Sequence, residues 1–127
     1  MKNKSKLNKI KSGSAKTLRN WFYMSKDTVT IEDLKEVWDE NYTVEIWKEQ
    51  GILEVSVENG GIDVEGCPTD FWDEDSLKYL SDHEVRSIFI ITLTEYGETE
   101  NRKAMEMIKS SLGGWFAADT DDFTPVI

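Results

Sequence analysis

Three acids, Asp119, Asp121 and Asp122, crowd the last stretch of the chain, and hard cations such as Ca²⁺ and Mg²⁺ prefer oxygen ligands of this kind. A calcium loop of the EF-hand type counted from Asp119 needs glycine at its sixth position, where this chain has Thr124. The plainer reading is a solvated acidic turn, with a small enzyme or divalent-metal-binding protein built on these residues as the alternative. A second cluster, Asp70-Phe71-Trp72-Asp73-Glu74-Asp75, sets two adjacent aromatics inside four acids. It suits a protruding binding loop in which Phe71 and Trp72 anchor a partner and the carboxylates form a charged rim. Equally, the aromatics could fold inward while Asp73 to Asp75 serve the next helix as caps.

The remaining reactive groups are isolated. His83 lies between carboxylates in Ser81-Asp82-His83-Glu84, a setting that favours imidazolium, although a lone histidine in a polar loop is ordinarily surface. Cys67, next to Pro68, has acidic surroundings that disfavour a thiolate, so it reads as an ordinary, partly buried thiol. One cysteine and one histidine exclude both an intramolecular disulfide and a structural Cys/His zinc site within one chain. No phosphate loop, dinucleotide fingerprint, Gly-x-Ser-x-Gly elbow or His-Glu-x-x-His helix is present. These absences point away from an enzyme, and no cofactor is implied. Glu45, Glu54, Glu58, Asp63 and Glu65 recur on the polar side of alternating segments. Like charges facing each other across strands cost stability, so such a stripe suggests either a cationic partner or pairs that are out of register and simply hydrated.

These groups must be positioned by one domain. The chain has 127 residues with 14 aromatics, enough for a single core without staples. Thr30 can cap a helix over 31–39. Residues 43–48, 52–58 and 62–64 alternate apolar and polar, with turns at Gln50-Gly51 and Asn59-Gly60-Gly61, and predict a three-stranded meander. Asp73 or Asp75 can cap a short helix carrying Leu77 and Leu80. Ser87–Glu95 is apolar on both sides and should be a central strand, followed by the longest helix, Thr99–Leu112, and a last strand at 115–118. Leu18, Trp21 and Phe22 share a helical spacing that predicts a further short helix within 15–24. The expected architecture is a single α+β domain over 15–127, mainly antiparallel: a three-stranded meander plus two further strands, with helices on one face. Trp38, Val55, Val57, Ile90, Leu93, Met105 and Ile108 should share its core.

Charge is distributed unevenly. Residues 1–19 hold seven bases and no acid, and the other 108 residues hold eight bases and all 25 acids. Residues 1–14 predict a basic flexible tail, with too few apolar groups to offset the entropy of ordering. Lacking an apolar stretch of about 7–15 residues, this start does not read as an export signal, and with a free cysteine it favours the cytoplasm. No apolar run approaches the ~18–20 residues of a membrane span. The acidic body repels nucleic-acid backbones, leaving at most weak contact through the tail, and attracts basic proteins.

The closing stretch Leu112-Gly113-Gly114-Trp115-Phe116-Ala117-Ala118-Asp119-Thr120-Asp121-Asp122-Phe123-Thr124-Pro125 follows an amphipathic helix. It resembles the C-terminal end of small acidic bacterial immunity proteins of polymorphic toxin systems. That resemblance implies a stoichiometric inhibitor of a cognate toxin and not an enzyme. The partner-binding residues expected on the residue reading are Asp70, Phe71, Trp72, Asp73, Glu74 and Asp75, with Glu54 and Glu58 on the meander.

Overall fold

The structure, a computed structural model, describes residues 18–127; the expected tail, residues 1–14, lies outside the described residues. Its elements run β1 (Asn20–Ser25), α1 (Ile31–Lys35), β2 (Thr43–Trp47), β3 (Ile52–Val57), β4 (Gly60–Gly66), α2 (Glu74–Asp82), β5 (Ser87–Leu93), α3 (Glu98–Leu112) and β6 (Trp115–Ala118). The six strands form one sheet in the order β2-β3-β4-β5-β1-β6, with every pair antiparallel. An α+β domain built mainly on an antiparallel sheet is therefore what the chain forms.

The sixth strand is β1, where the spacing of Leu18, Trp21 and Phe22 predicts a helix. Residues 21–25 are all buried, because β1 lies between β5 and β6 and has cover on both sides. Trp21 and Tyr23 enter one core, and Phe22 and Met24 enter another across the sheet. A run of apolar residues covered on both faces has no polar alternation to mark it as a strand.

The helices also divide between the two faces. Leu34 of α1 and Ala104, Met105 and Ile108 of α3 pack on one side with Val55, Val64, Ile91 and Phe116. On the other side Tyr79 and Leu80 of α2, Trp72 and Phe123 cover Phe22, Met24, Ile90 and Ala117. The expectation of helices on one face is corrected accordingly: β5 and β1 carry apolar groups on both sides, and each side needs cover. Of the residues expected to share a core, Trp38, Val55, Leu93, Met105 and Ile108 do so. Ile90 belongs to the opposite cluster, and Val57, near the hairpin end, is only half-buried.

Local signals explain the remaining boundaries. Thr30 caps α1 in a reciprocal box: its hydroxyl accepts from the Asp33 amide at 3.1 Å and the Asp33 carboxylate accepts from the Thr30 amide at 2.9 Å. The helix stops at Lys35, short of the expected Asp39. Beyond this end, Trp38 donates its indole N–H to the Ala104 carbonyl of α3 at 3.1 Å. The second hairpin turns at Glu58 and Asn59, Asn59 taking a positive φ of 67°. Gly60 and Gly61 already belong to β4. A Cβ on Gly60 would come within 2.8 Å of the Glu100 Cβ, so glycine lets α3 cross the start of this strand closely.

Candidate protein-binding face

Strand register decides where the carboxylates go. Glu45 of β2 stands directly opposite Glu54 of β3, and Glu54 opposite Asp63 of β4. The row continues through Thr92 of β5 to Asn20 of β1. Neighbouring strands lie about 4.8 Å apart, so three acids are packed side by side across three strands. Below them on the same face, Trp47 opposes Ile52, and Ile52 opposes Glu65. This is the face that α2, Trp72 and Phe123 cover over β5, β1 and β6. Over β2 to β4 no described residue of those covering elements packs on it, and Trp47 keeps 41% of its surface exposed. The half-face thus presents an aromatic–aliphatic pair beside a carboxylate row.

None of Glu45, Glu54, Asp63 or Glu65 takes part in an ion pair among the described residues. The pairs formed there are Arg19–Glu95 at 3.6 Å, Lys26–Glu84 at 3.6 Å, Lys48–Glu32 at 3.3 Å and Lys78–Asp82 at 2.8 Å. The out-of-register reading of the stripe is corrected for Glu45, Glu54 and Asp63, which are opposed. Glu58 does not join them, because it lies in the hairpin turn beyond the end of β3.

Partial burial holds the Asp63 carboxyl above the ordinary carboxylate value. The folded state therefore keeps its proton to higher pH than the unfolded chain does. Asp63 thus makes stability fall as pH rises from the ordinary value through the folded one. Asp63→Asn should raise the melting temperature at neutral pH, and the gain should shrink as the pH is lowered through the carboxylate range. An equal gain at all pH values, measured by thermal unfolding, would show that burial of this charge is not its cause.

The loop before α2 divides its two aromatics. Trp72 folds inward, its ring centroid 5.4 Å from Phe22 and 5.7 Å from Phe123. Phe71 points away and is 89% exposed. Trp72 is thus corrected from partner anchor to packing residue, because this side of β1 needs an apolar lid. Asp73 is the N-cap of α2, accepting from the Ser76 amide at 2.7 Å, and Glu74 and Asp75 occupy the first turn, where the positive helix end favours acids. Asp70 is exposed. Phe71 is left as the loop's available anchor, on the side of the sheet that bears the carboxylate row.

Of the C-terminal acids, Asp122 is bound up in local structure. Asp122 Oδ1 accepts from the Thr124 hydroxyl at 2.6 Å, the Thr124 amide at 3.2 Å and the Thr120 hydroxyl at 3.3 Å, which lowers its pKa. Among the described residues no group of three or more His, Cys, Asp or Glu side chains converges as a metal ion requires. His83 stacks on Tyr79 at 3.9 Å; since a carbonyl can only accept, its Nδ1–H donates to the Tyr79 carbonyl at 2.8 Å. Burial first, then the charges of Asp119 and Glu65, push the Cys67 thiol up to about 12, far from nucleophilic use near neutral pH.

Sequence reading missed Trp47 as part of the site. Its signal was present: it shares the strand parity of Glu45, so an apolar residue stands on the polar side of an amphipathic strand. No described helix is long and apolar enough to cross a membrane. Fold and face together define an α+β domain in which, among the described residues, one sheet face is half covered by apolar groups and half acidic. Compared with known protein families, curated proteins and solved structures, the chain matches none.

Proposed function

We propose that this chain is an acidic protein-binding domain, an immunity-type protein that binds and inhibits a cognate basic toxin in the bacterial cytoplasm. The observation that carries the reading is the half-face that no described element covers: Glu45, Glu54 and Asp63 in register beside Trp47 and Ile52. Like charges directly opposite each other across strands cost stability, and a cationic surface relieves that cost on binding. Charge of this kind supplies on-rate and orientation, while desolvated aromatic anchors supply most of the affinity. Trp47 serves as the anchor within the row, and Phe71 as a second one with Asp70, Asp73, Glu74 and Asp75 around it. The inhibitor acts by occlusion, so it needs no catalytic group and no cofactor of its own.

The test uses the full chain as immobilised bait at low ionic strength, next to a Glu45→Lys/Glu54→Lys variant. The parent should retain a basic protein that the variant does not, and that protein should be toxic when expressed without the bait. For the purified pair, salt should slow association far more than it speeds dissociation. Retention of the same protein by both baits would remove this face from the site. A retained protein that is harmless when expressed alone would reject the immunity reading.

A further inference from the structure

We propose that the partner engages this chain by strand addition: an extended basic segment of the partner pairs with the outer edge of β2. Its cationic side chains then lie on the acidic half-face and its aliphatic ones on the opposite face. The inference deepens the reading of the half-face as a protein-binding surface and rests on it, though not on the partner being a toxin. It names how that surface is read: main-chain hydrogen bonds hold the segment, and alternate side chains select it.

The two edges of the sheet are treated differently. Along β6 the last residues lie as a cover: the Phe116 amide donates to the Ile127 carbonyl at 3.0 Å and the Ile127 amide to the Phe116 carbonyl at 2.8 Å. The Ala118 amide adds a bond to the Pro125 carbonyl at 3.0 Å. Along β2 nothing comparable is present among the described residues. Apart from the ladder to β3, the one backbone bond there runs from the Gln50 amide to the Trp47 carbonyl, inside the hairpin. The strand also lacks the features that ordinarily blunt an edge. It contains no lysine, proline or glycine, and it pairs with β3 residue for residue without a bulge. Alternate backbone groups of β2 therefore face outward, set for pairing.

Side chains specify what pairs there. Val44 and Ile46 pack on the core shared with α3, yet they are only half-buried, because the sheet stops at β2. Aliphatic groups on an added strand extend that layer. Thr43, Glu45 and Trp47 are exposed, and the row through Asp63 and Glu54 ends at Glu45. A strand about 4.8 Å further out sets a side chain directly beside Glu45, where a lysine or arginine continues the row with the opposite charge. The stem of a neighbouring cation can lie on Trp47 while its head stays in water. A second copy of this chain suits the edge poorly, since its own β2 would bring one carboxylate row end to end with the other.

Amide hydrogen exchange of the isotope-labelled full chain, read residue by residue by NMR, tests the mode with an end-blocked synthetic peptide, Lys-Val-Lys-Val-Lys-Val-Lys. Two controls carry the same charge. Lys-Lys-Val-Val-Val-Lys-Lys loses the alternation, and the alternating peptide N-methylated at every residue keeps its side chains but has no N–H to donate. In the free chain the outward amides of β2 should exchange many-fold faster than the bonded amides of β6. The alternating peptide should slow them several-fold and shift the resonances of Thr43–Trp47 most, and both controls should bind several-fold more weakly. Slow exchange at these amides in the free chain, or slowing that grows with chain concentration, would show the edge already closed and overturn the proposal. Equal binding by either control, or no protection of β2 by the alternating peptide, would overturn it as well. Such failures leave the bait experiment untouched. A bait that retains only a harmless protein rejects the immunity reading and leaves strand addition standing, so the two fall separately.

Discussion

Asn101→Ala should destabilise the fold by about 2–4 kcal/mol, since its side chain partners several buried polar groups, each costing about 1–3 kcal/mol when left alone. Asn101 sits on α3, only 1% exposed. Its Oδ1 accepts from the Gly61 amide at 2.7 Å and the Thr94 hydroxyl at 3.2 Å, and its Nδ2 donates to the Thr94 carbonyl at 3.2 Å and the Tyr96 carbonyl at 3.1 Å. One amide thus joins α3, the start of β4 and the chain leaving β5. Alanine leaves the buried Gly61 N–H without its acceptor, where α3 crosses the adjacent Gly60 closely. Urea unfolding should show a lower midpoint with an unchanged slope. A loss under about 1 kcal/mol would mean that water replaces the amide and the network is not closed. The same contact bears on function. It fixes where β4 begins, and a one-residue slip of β4 would turn Asp63 away from Glu54 and bury the carboxylate.

The meander was legible because its strands have one dry side and one wet side, and period-2 alternation is the direct record of that condition. Val44 and Ile46, and then Leu53 and Val55, alternate with Glu45 and Glu54, and the structure pairs them in the register that makes the acids opposed. The long helix α3 was legible for the corresponding reason, with Ala104, Met105 and Ile108 on one face. Residues covered on both sides carry no such record. Trp21-Phe22-Tyr23-Met24 is uniformly apolar, so a helical spacing can be picked out of it although its neighbours are β5 and β6. The second layer over the sheet was hidden similarly: the cover comes from Trp72, Tyr79 and Phe123, residues distant in sequence whose meeting depends on the tertiary path. Within the candidate site, the carboxylates were visible as strand parity. The exposed Trp47 beside the half-buried Ile52 was not, since their exposure depends on where α2 stops covering the sheet.

Phe71 and Trp72 show the same limit most sharply, and they give the other large effect. Trp72→Ala should destabilise the domain by roughly 2–4 kcal/mol, the lower part of the range for removing a large aromatic, because the indole is only half-buried. The indole lies against Phe22 and Phe123, Phe123 packs at 4.5 Å on Tyr79, and Phe22 meets Phe123 at 5.8 Å. Its loss opens a gap beside the two rings it touches, Phe22 and Phe123, and uncovers β1 on that side. Phe71→Ala, one residue away, should change stability by less than about 0.5 kcal/mol, as expected for a side chain exposed on the surface. Its effect should appear instead in dissociation of a bound basic partner, about tenfold faster for each 1.4 kcal/mol of anchoring removed. The crossed pattern is the informative result: one variant melts early and, when folded, binds like the parent, while the other melts like the parent and releases its partner sooner. A Trp72→Ala protein that keeps its melting temperature and loses its partner would return Trp72 to the binding surface. It would also show that the aromatic layer over β1 does not need it.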